Sequence, residues 1–123
     1  MRPERGLVLF NYDWDQVGFG RWSSAFALDS AGFDLFSFPS NAHLVTFDLQ
    51  RFVDRLAASA PRKGWRAVTS NHEQFGALAA AMLAERMGWP GTPVAAVLAC
   101  QHKWHARQVL EKVAPEANTP FGL

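Results

Sequence analysis

Cys100, His102 and His105 lie close together in the chain and carry thiolate and imidazole, donor types that suit zinc. Three donors fall short of a tetrahedral set, positions 100 and 102 point to different faces of a helix, and no fourth donor lies nearby. A metal site is therefore not expected, and Cys100 reads as a small buried residue. Lys103, next to them, is a lysine on an expected helix surface, a position where such side chains are commonly just solvated. His72 and Glu73 follow an apolar run and open a helix, on the side of an open α/β sheet where ligands bind. The helix dipole alone accounts for an acid there, so Glu73 is expected to act as a cap, leaving His72 as a site candidate. Asp13, Asp15 and Arg21 are the charged residues around the first loop. Gly18-Phe19-Gly20 begins like a dinucleotide fingerprint, but Ser23 holds the third glycine position and six residues separate Asn11 from Gly18. No Gly-x-Ser-x-Gly, no Cys-His-Asp set and no placeable carboxylate pair is present, so no residue is assigned as catalytic.

Such side chains need a scaffold, and the bulk properties bound its kind. At 123 residues the chain fits one domain, able to bury roughly two thirds of the surface its unfolded form exposes. Hydrophobic residues make up 49% and charged residues 19%, a balance that excludes a disordered or fibrous chain. The net charge of +1 argues against a nucleic-acid partner, which needs uncompensated Lys and Arg. A single cysteine and the absence of an apolar leader in Met-Arg-Pro-Glu-Arg fit a cytoplasmic protein. The longest apolar stretches, such as Val94 to Cys100, fall far short of the ~20 residues of a membrane span. Five tryptophans and ten phenylalanines exceed what a core this size needs, so some are expected at an interface.

Gly6 to Asn11 reads as a strand buried on both faces. Trp22, Ala25 and Phe26 at helical spacing, closed by Gly32, read as the first helix, and Phe33 to Phe38 as the next strand, ended by Pro39. Leu44 to Phe47 is too short for periodicity to decide. Phe52, Val53, Leu56, Ala57 and Ala60 form one helical face between an Asp48 N-cap and a stop at Pro61 and Gly64. Trp65 to Ser70 resumes a strand. Asn71 to Gly88 is a helix with Phe75, Leu78, Met82, Leu83 and Met87 on its core face. Two further helices follow, over Val94 to Cys100 and His102 to Val113. This order predicts a Rossmann-like three-layer α/β/α domain with a mainly parallel sheet of about four strands.

From Ser70 onward the succession is more specific: Asn71-His72-Glu73, an amphipathic helix, Met87-Gly88-Trp89-Pro90-Gly91, an apolar turn, Cys100-Gln101-His102-Lys103, Arg107, Leu110 and Thr119-Pro120. This stretch resembles the end of the N-terminal, or pre-ATP-grasp, domain of ATP-grasp ligases, near biotin carboxylase and carbamoyl-phosphate synthetase. There a helix ends in Leu-Gly-Leu-Pro-Gly, an Asp-Lys pair opens the next helix with an arginine four residues on, and a Pro-x-Pro-like segment enters the ATP-binding body. The resemblance covers about residues 68 to 121; upstream only the strand-helix-strand order and a glycine-bearing first loop agree.

The resemblance implies a parent enzyme that uses ATP and Mg²⁺ to phosphorylate a carboxylate, whose phosphate an amine then displaces. By it, Lys103 inherits the ATP contact; His72, Arg107 and Arg21 become candidate substrate or hinge contacts; and Asp13 and Asp15, in the first loop, lie near substrate. Arg107 could equally pair with Glu111 one turn along. His102 departs from the pattern: an imidazole can cap a helix but gives Lys103 no fixed negative neighbour. The implied division is a pre-ATP-grasp domain over residues 1–114 and the start of a linker over residues 115–123, the partner being an ATP-grasp body absent from this sequence. Such a domain is expected to catalyse nothing alone, to bind no cofactor by itself, and to have aromatic surface at Trp89, Trp104 and Phe121 that could drive a homodimer. The competing expectation is a self-contained nucleotide-binding or noncatalytic partner module, with its C-terminus folded back and Phe121 buried. The ligase reading instead expects a tail that is disordered or packed on another molecule.

Overall fold

The structure is a computed structural model and describes residues 3–122. Its centre is β1 (Glu4–Leu9), whose Leu7, Val8 and Leu9, with the following Phe10, are almost wholly shielded from solvent. An apolar run of this kind suits a strand with a neighbour on each edge and cover on both faces. β1 pairs in parallel with β2 (Phe26–Ala31) on one side and with β3 (Ala67–Thr69) on the other, in the order β2-β1-β3. The chain is thus an α/β protein with a three-stranded all-parallel sheet, compatible with a Rossmann-like arrangement but one strand short of the four expected.

The first crossover differs from the sequence expectation. The first helix is α1 (Asp13–Gly20), and Phe26, expected on that helix, opens β2 instead. The stretch from Phe33 to Phe38 is a loop. β2 is an edge strand containing Asp29 and Ser30, so its alternation is weak, and only its ladder to β1 defines it. Phe33 to Phe38 has strand-forming residues but meets a local competitor: the Asp34 carboxylate accepts from the backbone N–H of Phe36 (2.8 Å) and Ser37 (3.2 Å), closing a turn. The undecided segment before α2 is a 3₁₀ helix, Ser40–Thr46.

The remaining helices agree more closely. α2 (Leu49–Lys63) is capped by the Asp48 carboxylate, which accepts from Arg51 N–H, and buries Phe52, Val53 and Ala60. α3 (Phe75–Met87) begins four residues later than Asn71, and its buried positions are mostly small: Gly76, Ala79, Ala81, Leu83 and Ala84. Phe75, Met82 and Met87 pack on the core only in part. α3 lies between α2 and α4 (Val94–Gln101), and small side chains let helices approach on two sides. An Arg86–Asp54 ion pair joins α3 to α2, and the Glu85 carboxylate accepts from Val94 N–H, 2.7 Å away, at the start of α4. α2 and α3 cover the sheet face carrying Leu7 and Leu9, while α1 lies toward the face carrying Val8 and Leu28.

Phe10 adopts φ 52°, unusual for a residue with a side chain. Left-handed backbone costs about 1–2 kcal/mol. Its ring, however, meets Phe33, Phe47, Phe52 and Phe75 at centroid distances of 5.4 to 5.9 Å. Burial of about 1.5–3 kcal/mol and aromatic pairing of ~0.5–1.5 kcal/mol per pair outweigh the strain.

After α5 (Lys103–Val113) the chain turns through Pro115–Ala117 and runs back along the helix. Asn118 accepts from the Arg107 guanidinium (3.1 Å) and donates to the Arg107 carbonyl and to Glu111, and the Phe121 ring meets Trp104 edge-on at 5.1 Å. Phe121 remains 36% exposed, so the tail is folded back without being buried. Among the described residues no helix is long and apolar enough to cross a membrane.

Candidate functional site

In the order β2-β1-β3 the chain leaves β1 toward one side and returns on the other, so the C-terminal ends of β1 and β3 form the topological switch point, the edge where open α/β sheets have their crevice. Ligands of open α/β sheets bind at such a switch point. The β1–α1 loop holds Asn11 and Tyr12; the β3–α3 loop holds Ser70 to Gln74. Side chains tie these loops together. The Ser70 hydroxyl donates to the Leu9 carbonyl (2.8 Å), the Asn71 amide donates to Asp15 (2.8 Å), and Asp15 also accepts from Tyr12 N–H (3.0 Å). Asp15, a candidate by sequence, therefore holds the start of α1 and the opposite loop at once.

His72 is half-buried; its ring Nδ1 accepts from Gly76 N–H at 3.3 Å, and its backbone N–H donates to Ser70 Oγ at 3.2 Å. The helix-start role expected of Glu73 is thus taken by His72, whose ring accepts from one N–H of the first turn, that of Gly76; Glu73 stays exposed. Gly76 permits this approach, because a Cβ there would lie 2.1 Å from Ser70 Oγ.

Tyr12, Trp14 and Phe36 were not singled out by sequence. Tyr12 is 8% exposed, and its ring stacks on Trp14 at 4.7 Å and leans on Phe36 at 5.0 Å; Phe36 in turn meets His72 at 5.7 Å. The Tyr12 hydroxyl is buried without a hydrogen-bond partner. Burial first, then the charges of Asp34, Asp15 and Glu73, push its pKa up. Asp34 is held below the usual carboxylate range by hydrogen bonds from Ser37 and Phe36, so it stays ionised. The one sequence signal was a dense aromatic–acidic succession, Tyr12-Asp13-Trp14-Asp15, directly after a strand.

A second concavity adjoins the crevice. A groove of about 670 Å³ between the start of α3 and α4 is lined by Glu73, Ala77, Cys100, Gln101 and Lys103 among others. The Gln101 amide donates to the carbonyls of Glu73 and Gln74 and so fixes the end of α4 against the start of α3. Lys103 is exposed as the first residue of α5. His102 is its N-cap: Nδ1 accepts from His105 N–H at 3.2 Å, the hydrogen bond an aspartate side chain would otherwise accept. Cys100 is exposed on this groove, contrary to the burial expected of it.

Other candidates fall apart from these. Arg107 does not pair with Glu111 directly; Asn118 bridges the two. Arg21 is exposed at the C-cap of α1, a helix that runs away from the C-terminal edge, so it is separated from His72 and Lys103. Gly18 and Gly20 lie at the end of α1, with open space around them, instead of in a phosphate-cradling turn after β1. Trp89 packs against the core and Trp104 is half-buried, so the most exposed aromatic surface lies elsewhere, at Trp14, Trp22, Phe36 and Phe38. Among the described residues no three or more His, Cys, Asp or Glu side chains converge as metal ligands. Comparisons with protein-family models, with curated proteins and with solved structures return no match for this chain.

Proposed function

We propose that this chain is the N-terminal, substrate-side domain of an ATP-dependent ATP-grasp ligase of the carboxylate-amine type, inactive by itself. The observation that carries the reading is Lys103: a lysine at the first position of a capped helix, exposed beside a groove that opens next to the switch-point crevice. Its likeness to the family lysine comes from sequence, and its position supports that likeness because a cation there can meet a phosphate arriving from outside the domain. Bound ATP would supply the phosphoryl group that activates a carboxylate. This chain's own part is to hold one charge-assisted contact, worth about 1.5–3 kcal/mol, and to keep its helix rigid through the His102 cap and the Gln101 tether. The residues present fit a single phosphate contact and no more; Mg²⁺ and the rest of the nucleotide fall to a downstream body.

The folded-back tail favours a second reading, a self-contained Rossmann-like nucleotide-binding or partner module. Calorimetric titration of residues 1–123 with ATP and Mg²⁺ separates the two. The ligase-domain reading expects no saturable heat; tight Mg²⁺-dependent binding overturns it and favours the module.

A further inference from the structure

Three loops at the C-terminal edge of the sheet assemble aromatic rings and carboxylates, of which only Glu73 also lines the Lys103 groove. Trp14 and Phe36 contact Tyr12 yet remain 68% and 65% exposed. Three carboxylates come from three separate segments: Asp15 from α1, Asp34 from the loop after β2, and Glu73 from the loop after β3. Asp15 accepts from Tyr12 N–H, Asp34 accepts from the N–H of Phe36, whose ring leans on Tyr12, and Glu73 follows His72, whose ring meets Phe36, so the three stand around one aromatic group without converging on a single point. The ion pairs among the described residues are Arg5–Asp29 and Arg86–Asp54; neither neutralises this cluster.

Unneutralised carboxylates beside aromatic faces attract a cation with an apolar stem: the rings offer their negative faces, and the carboxylates offer charge and acceptor oxygens. An anion is repelled by the same charges, and a neutral apolar ligand would strip water from the carboxylates without replacing it. Independently of the carboxylates, Tyr12 presents a polar atom without a partner on a side chain more than nine-tenths buried. An ammonium N–H reaching that oxygen would complete it, and the exposed rings over it can change rotamer in nanoseconds to admit one.

We propose that the crevice between the β1–α1 and β3–α3 loops binds a small organic cation, a primary ammonium on an apolar stem, held by Tyr12, Trp14, Phe36, Asp15, Asp34 and Glu73. The site shares only Glu73 with the Lys103 groove, does not rest on the ATP-dependent reading, and its test contains no nucleotide. Isotopically labelled chain is titrated with n-butylammonium chloride while the indole N–H resonance of Trp14, identified by its loss in Trp14→Phe, is followed by NMR. A saturable movement is expected with n-butylammonium and none with n-butanol or sodium butyrate at equal concentration and ionic strength. The double variant Asp34→Asn, Glu73→Gln keeps the acceptor oxygens and removes two charges. Its affinity is expected to fall at least about tenfold. No saturable movement, an equal response to n-butanol, or unchanged affinity in the folded double variant overturns the proposal. The comparison of ammonium with alcohol on the unaltered chain holds even if the variant does not fold.

Discussion

The Tyr12 hydroxyl is shut away from water and unpartnered, a state that costs about 1–3 kcal/mol relative to a bonded one. Tyr12→Phe removes that group and leaves the stacking ring. The variant is expected to be more stable by about 1 kcal/mol in urea unfolding without ligand; a loss of similar size would mean that the hydroxyl is bonded. Asp29 shows the opposite economy. One of its carboxylate oxygens accepts from Trp65 Nε1 (2.6 Å) and from the Arg5 guanidinium (2.9 Å), and these two bonds hold its pKa below the usual carboxylate value. A pKa lowered by folding contributes stability that is complete above the unfolded value, near ~4, and lost as pH falls through the folded value. With the side chain one third exposed, screening limits the contribution. Asp29→Asn is therefore expected to cost about 1 kcal/mol or less at neutral pH and to match the parent chain in strong acid, read from urea midpoints at the two pH values. Neither residue was legible beforehand, because Asp29 is held by Arg5 and Trp65, 24 and 36 positions away, and Tyr12 is covered by neighbours brought in by other loops.

At the scale of elements, α3 and the β3–α3 loop form the hinge of the site, and Gly76 sets their separation. A methyl group there would stand 2.1 Å from Ser70 Oγ and 2.9 Å from His72 Cβ. Alanine normally favours a helix over glycine by about 1 kcal/mol, but the clash reverses the sign. Gly76→Ala is expected to destabilise the chain by about 2 kcal/mol and to shift the Ser70 and His72 amide resonances. Gly18→Ala is the control: it lies within α1 with nothing inside 4 Å of the added carbon, and should stabilise by ~0.5–1 kcal/mol. Thermal unfolding of both variants checks the pair. Elements with an amphipathic face or a continuous apolar run were readable from sequence: α2 with its Asp48 cap, and α4 and α5 within a residue or two of their observed bounds. α1 and β2 were displaced: α1 follows β1 within a few residues and carries two glycines, Gly18 and Gly20, and β2 is an edge strand, so neither shows a clear hydrophobic pattern.

For the whole molecule, the central fact is that the end of β1 is both the middle of the core and the rim of the crevice. Phe10 contributes its ring to the core while its strained backbone turns the chain toward Tyr12. Phe10→Ala keeps the unfavourable φ and leaves a cavity among four phenylalanines; a loss of about 3–5 kcal/mol is expected in urea unfolding. Because a loss of that size is comparable with the whole stability of many small domains, the variant should also lose the dispersed NMR signals of the crevice loops. Unchanged loop signals would show that the crevice does not rest on this ring.

By itself the sequence determined the α/β class, the buried strand from Gly6 onward, the amphipathic helices and the lysine that opens the last of them, because local periodicity and capping residues are encoded within a few positions. Only the tertiary structure decided that the sheet has three strands, that β2 begins at Phe26, that Arg107 reaches Glu111 through Asn118, and that Tyr12, Trp14 and Phe36 stack beside the segments carrying Asp15 and Asp34. Strand pairing and crevice formation depend on which distant segments share the ends of a parallel sheet, a long-range choice that no local window contains.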